Sequence, residues 1–190
     1  MSNTWLTDQI AEHLRVSEAV QGMTPDLVSL AEALVTSFRA GGKAFFCGNG
    51  GSAADAQHWA AELSGRFFLD RPGLPAISLS VNTSEITAIG NDYGFEHVFA
   101  RPLKGLACKG DILVAISTSG NSPNVVLAAE TARTLGVHVA AFTGEGGGKL
   151  AELADWCFRM PSSNVARIQE GHELCAHLFC GLVERMMFGV

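Results

Sequence analysis

The chain has 190 residues, 47% of them apolar and 17% charged, with a formal net charge of −6. That length fits one α/β domain with a substantial core, and an acidic balance without a basic stripe excludes a dedicated nucleic-acid binder. The five cysteines form no C-x-x-C pair, no apolar run approaches a membrane span, and Met1-Ser2-Asn3-Thr4-Trp5 lacks a basic-then-apolar leader. The expectation is therefore a single domain over residues 1–190, off the membrane, cytoplasmic, with reduced thiols.

Apolar residues recur at helical spacing from Thr4 to about Val20, and Gly22 closes that helix. Thr24 is the expected N-cap of a second helix to about Ala40, with Pro25 in its first turn. Residues 1–40 thus form a helical extension before the first strand. Long helices with few charges suggest that an apolar face meets another subunit.

Strand one is expected from Lys43 to Cys47. A turn through Gly48-Asn49-Gly50-Gly51 follows, and then a helix opened by Ser52. Arg71 to Pro75 breaks the chain before strand two, Ala76 to Leu79. Ser84 is the expected cap of a helix through Ile89. A polar turn, Gly90 to Phe95, then precedes a helix from about Glu96 to Ala107. Strand three, Ile112 to Ile116, is nearly all apolar, as a buried parallel strand should be. A loop Ser117-Thr118-Ser119-Gly120-Asn121-Ser122 leads into a helix from Pro123 to Leu135, closed by Gly136. Strand four (Val137 to Phe142), a Gly-rich loop, a short helix, strand five (Trp156 to Met160) and a long helix (Asn164 to Met187) complete the chain. The alternation gives a three-layer α/β fold, flavodoxin-like, with a parallel five-stranded sheet.

Two hydroxyl- and Gly-rich loops occupy equivalent places after strands one and three. A strand that feeds such a loop and then a helix N-terminus is suited to an anion, although the same residues also serve ordinary turns and caps. The first loop has neither G-x-G-x-x-G nor G-K-[ST], so no nucleotide cofactor is expected. His58 and Glu62, four apart on one helix face, fit an acid/base pair, two metal ligands, or simply a surface hydrogen bond. In the last helix Gln169, Glu173 and His177 repeat every four residues, which is either a solvated stripe or a second functional face.

Taken in order, G-N-G-G-S, D-A-Q-H-W-A-A-E-L-S-G-R-F, R-P-G-L-P-A-I, G-N-D-Y-G-F, I-S-T-S-G-N-S and A-R-I-Q-E-G-H resemble the phosphoheptose isomerases, sugar isomerase (SIS) domain enzymes. The resemblance spans nearly the whole chain. It implies an aldose–ketose isomerase that converts sedoheptulose 7-phosphate to D-glycero-D-manno-heptose 7-phosphate for cell-envelope glycans such as lipopolysaccharide. It also implies a homotetramer with active sites at subunit interfaces. By motif position, Ser52, Ser117, Thr118, Ser119 and Ser122 fall on phosphate-binding residues. Asn49, Gly50, Gly51, Asn91, Asp92 and Gln169 fall on further substrate contacts. Glu62 and His177 fall on the base and acid, and His58, Glu62, Gln169 and His177 on the ligands of the zinc ion seen in some members. Ala166 departs from the pattern, since members often carry Asp before R-I-Q. The alternative is a non-catalytic relative that binds a replication initiator protein; the carboxylate of Glu62 favours the enzyme.

Overall fold

The computed structural model describes residues 3–189, so Met1, Ser2 and Val190 of the expected domain lie outside the described residues. Helices α1 (Thr4–Ala19) and α2 (Thr24–Arg39) come first, and then β1 (Ala44–Gly48) and α3 (Gly51–Ser64). Next are β2 (Ala76–Ser78), α4 (Thr83–Tyr93), α5 (Ala100–Leu106), β3 (Ile112–Ile116) and α6 (Pro123–Leu135). The chain closes with β4 (His138–Gly144), α7 (Gly148–Leu153), β5 (Trp156–Met160) and α8 (Val165–Phe188). The five strands are parallel in the order β2-β1-β3-β4-β5.

Three local expectations are corrected. Thr24 does not cap α2: the chain runs from α1 through a 3₁₀ turn, Val20–Met23, and the Thr24 hydroxyl donates back to the Gln21 carbonyl at 2.8 Å. Asn82, not Ser84, caps α4, its side chain accepting the Glu85 N–H at 3.2 Å. Finally, Gly90 to Tyr93 is the last turn of α4 rather than a loop, and the chain leaves it at Gly94, where φ is 94°. Gly90 misled because glycine is tolerated within a helix at modest cost.

The strand period of two divides the core into two layers. Phe46, Val114, Phe142 and Phe158 face α1, α2, α3 and α8, whereas Phe45, Cys47, Leu113 and Ala141 face α4 to α7. Ala56, Trp59, Ala60 and Leu63 place one stripe of α3 in the first layer, and Ile168, Cys175, Phe179 and Val183 do the same for α8. With both stripes turned inward, the flanking polar faces of α3 and α8 adjoin. The strand order reverses between β1 and β3, and the crevice beyond their carboxyl ends is where such sheets receive ligands. Among the described residues, no helix is long and apolar enough to cross a membrane.

Candidate active site

Both hydroxyl-rich loops open at that reversal, so the chain topology brings them together. Gly50 takes φ 56° and ψ −120°, a conformation that side chains other than glycine rarely adopt, and α3 begins at the next residue. Ser52 is buried at the start of α3, and Ser117 is buried at the end of β3. The Ser117 hydroxyl lies 2.9 Å from that of Ser122 and 3.4 Å from that of Ser119. Thr118 is half-buried beside them and Ser119 is exposed. These hydroxyls, set between the positive ends of α3 and α6, suit a phosphate monoester.

The two loops are also tied to each other. Asn49 and Asn124 exchange side-chain amide hydrogen bonds of 2.9 and 2.8 Å, and Asn124 Oδ1 also accepts the Val125 N–H. Asn49 therefore spends its side chain on a clasp between the loops. Its partner, Asn124, gave no signal in the sequence, because it reads as an ordinary first-turn residue.

Beside the loops, α3 and α8 bring together the acid/base and metal-ligand candidates. His58 Nε2 stands 2.9 Å from Glu62 Oε1. His58 Nδ1 stands 2.6 Å from Glu173 Oε1, which is 3.2 Å from His177 Nε2. The two imidazoles meet edge to face, with centroids 5.3 Å apart. One donor atom from each of His58, Glu62 and His177 lies within 4.8 Å of the others, so the three can close on one cation. The chemistry of this set fits zinc: two imidazoles and a carboxylate as ligands, and an outer carboxylate, Glu173, against the far nitrogen of His58.

Gln169, the fourth ligand that the resemblance implied, takes a place on the loop side. Its amide occupies the space beside Gly51, where an added Cβ would stand 2.3 Å from Nε2. Asn91 and Asp92 are exposed at the end of α4 and bond to each other at 2.8 Å. Among the described residues, no hydrogen bond or ion pair joins them to the loops or to the carboxylate–imidazole cluster.

Glu173 is the hub that the sequence showed only as part of a stripe. Its Oε2 accepts the Trp59 indole N–H at 2.7 Å. Its buried Oε1 receives no well-directed hydrogen bond, although two imidazole nitrogens approach it. Asp55, one turn before His58, also has a buried oxygen, Oδ2, without a partner. Burial, and then the charge of Glu173, push its pKa up to about 6 against an opposing pull from His58.

Residues 8–144 match the SIS domain family. The chain is 55% identical over 160 residues to a phosphoheptose isomerase of Rhodospirillum rubrum, covering 84% of this chain and 85% of that one. It is 47% identical over 189 residues to a phosphoheptose isomerase of Burkholderia pseudomallei, covering 98% and 96%. The solved phosphoheptose isomerase of Neisseria gonorrhoeae superposes with a TM-score of 0.89 at 42% identity, covering 96% of this chain and 98% of that one.

Proposed function

The chain belongs to the phosphoheptose isomerase family of SIS-domain enzymes, and on that premise we propose how its residues interconvert sedoheptulose 7-phosphate and D-glycero-D-manno-heptose 7-phosphate. The observation that carries the reading is the meeting of Glu62 on α3 with His177 on α8, beside the two hydroxyl-rich loops.

Ser52, Ser117, Thr118, Ser119 and Ser122 hold the phosphate, while Gln169 and the backbone of Asn49 to Gly51 align the sugar chain. Moving the carbonyl from C2 to C1 requires a proton to leave C1 and a proton to arrive at C2. Glu62 takes the first as general base, which leaves an enediol, and returns it to C2 on the same face. His177 exchanges the proton between the two enediol oxygens, so that the O2 alkoxide is protonated as O1 becomes the aldehyde oxygen. His58 holds Glu62 at hydrogen-bond distance and in turn faces Glu173. His58, Glu62 and His177 are the residues that would hold a zinc ion, with Gln169 of α8 as the fourth ligand that the family resemblance implies. Such an ion would polarise the carbonyl and hydroxyl oxygens.

The enzyme works as a homotetramer in this reading. Leu6, Ile10 and Leu14 make an exposed apolar stripe on α1, and Phe68 is exposed beside α8. Asn91 and Asp92, distant in contact from their own loops, would meet substrate from a neighbouring copy. Cys47, Cys175 and Cys180 serve as buried apolar packing, in keeping with a reducing cytoplasm. The product then supplies a heptose phosphate to cell-envelope glycan synthesis.

The deciding experiment is an assay of the purified protein with sedoheptulose 7-phosphate, followed by aldose formation, with Glu62→Gln beside it. The variant should bind substrate and lose roughly 10²- to 10⁴-fold in kcat. Near-normal turnover would remove Glu62 from its role. No conversion by the wild type, together with capture of a replication initiator, would favour the non-catalytic relative.

A further inference from the structure

Glu184 lies on α8 beyond His177, and Arg71 lies in the segment that leaves α3. Both side chains are 2% exposed, and Arg71 Nε donates to Glu184 Oε1 at 3.0 Å. Glu184 also accepts the backbone N–H groups of Phe67 at 3.3 Å, Phe68 at 2.9 Å and Leu69 at 3.0 Å. The remaining guanidinium N–H groups of Arg71 donate to the carbonyls of Glu62 at 2.8 Å, Leu63 at 2.6 Å and Gly65 at 3.1 Å. Burial alone would raise the Glu184 pKa, but these donors outweigh it and hold the carboxyl below its ordinary range.

A buried ion pair is weak evidence for stability, because apolar residues of the same volume often serve as well. The use of this pair lies in what its hydrogen bonds orient. The guanidinium gathers carbonyls at the end of α3, the helix that carries His58 and Glu62, where helix geometry leaves them without intrahelical donors, and the Leu74 N–H shares the Leu63 carbonyl at 2.9 Å. The carboxylate gathers three consecutive backbone donors of the following segment. That segment lays the Phe67 ring along His177, with centroids 5.7 Å apart and planes 29° apart. Gly181 leaves room for it, since an added Cβ would stand 3.4 Å from the Phe67 ring.

We propose that Arg71 and Glu184 are positioning residues for the isomerisation. Their buried pair locks the end of α3 to α8, and so sets Glu62 against His177 and holds Phe67 as the wall that fixes the His177 ring. Neither touches the substrate. The inference rests on the reading of Glu62 as base and His177 as acid.

The test is Glu184→Gln, which keeps the volume but loses the charge and turns an N–H₂ group toward the segment's own donors. A misplacement on the ångström scale costs up to about 100-fold in rate. The expected result, measured well below the variant's Tm, is a kcat about 10- to 100-fold down with KM within about twofold, since the phosphate loops are untouched. Combined with Glu62→Gln, the substitution should add little further loss, because both act through one group. Phe67→Leu should reproduce part of the kcat loss without disturbing the pair, and it decides the matter if Glu184→Gln does not fold. A lower Tm with kcat within twofold of wild type, or an unchanged kcat in Phe67→Leu, overturns the proposal. Near-normal turnover of Glu62→Gln alone would instead overturn the acid/base reading, so the two failures are distinguishable.

Discussion

The indole N–H of Trp59 donates to Oε2 of Glu173 at 2.7 Å, and this bond ties the core to the carboxylate–imidazole cluster. Trp59 is fully buried, with its ring edge-on to Phe142 at 5.0 Å and to Phe179 at 6.0 Å. A fully buried side chain of α3 thus holds the carboxylate that faces His58 and His177.

Trp59→Phe tests that relationship. Phenylalanine keeps most of the packing but leaves the half-buried Glu173 oxygen without its donor, at a cost of about 1–3 kcal/mol. On the proposed reading of His58 as a zinc ligand backed by Glu173, zinc retention should fall roughly 10- to 100-fold, the usual effect of losing an outer partner. Metal content of protein purified without chelator, and its loss against graded chelator, would measure this. Wild-type retention would show that Glu173 does not depend on Trp59.

Gly51→Ala separates fold from function in the first loop. Its Cβ would stand 2.3 Å from Gln169 Nε2 and 2.8 Å from Cδ, whereas no backbone atom is among these nearest neighbours. The amide is the free end of a flexible side chain and can swing away, so the melting temperature should stay within a few degrees of wild type. The kcat/KM for sedoheptulose 7-phosphate should fall at least about tenfold, as expected for a lost hydrogen bond to an aligned substrate. Unchanged kcat/KM would take Gln169 out of substrate alignment.

Much of this arrangement was legible in the sequence, because it rests on local rules. β3 and β5 match their expected spans, and Gly136 closes α6 with φ 71°, since glycine is the residue that ends helices in this way. The convergence of the two loops followed from strand–helix alternation. The site's hub did not follow. Glu173 is one carboxylate in a polar stripe, and it takes the packing of α3 on α8 to bring it to the Trp59 indole and to His58. The Asn49–Asn124 clasp and the Arg71–Glu184 pair join residues far apart in the chain, which no spacing rule can pair. Gly90 shows the reverse error, a turn residue that tertiary packing keeps inside α4.

His172 offers a pH test away from the carboxylate–imidazole cluster. It is fully buried, with Nε2 3.0 Å from the Thr143 carbonyl, and burial lowers its pKa to about 4. The unfolded chain binds this proton at its ordinary 6.5, so between about 6.5 and 4 the unfolded state holds more protons than the folded state. Stability from this group is complete above pH 6.5 and is lost as the pH falls toward 4, by about 3 kcal/mol in all. In His172→Gln the amide can still donate to Thr143, but nothing titrates. The stability of the variant relative to wild type should therefore improve steadily from pH 7 to pH 4.5 in urea unfolding. A difference that is constant with pH would mean that His172 is not buried neutral.

Asp55 should show the opposite sign. Its folded pKa is raised from 3.8 to about 6, first by burial and then by Glu173, with His58 pulling the other way. Between those values the folded state holds more protons than the unfolded one, so the ionised carboxylate is a standing cost above pH 6 that vanishes as the pH falls toward 4. Asp55→Asn removes the charge and gives the site a group that needs no proton. The variant should melt higher than wild type at pH 7.5, and the gain should disappear by about pH 4. Strain of this kind collects where a site uses the offending group, and the carboxylate here stands one turn from His58 and in the field of Glu173. The same substitution should therefore lower kcat while it raises Tm. A variant that is both more stable and fully active would show that the unpartnered oxygen of Asp55 has no part in the reaction.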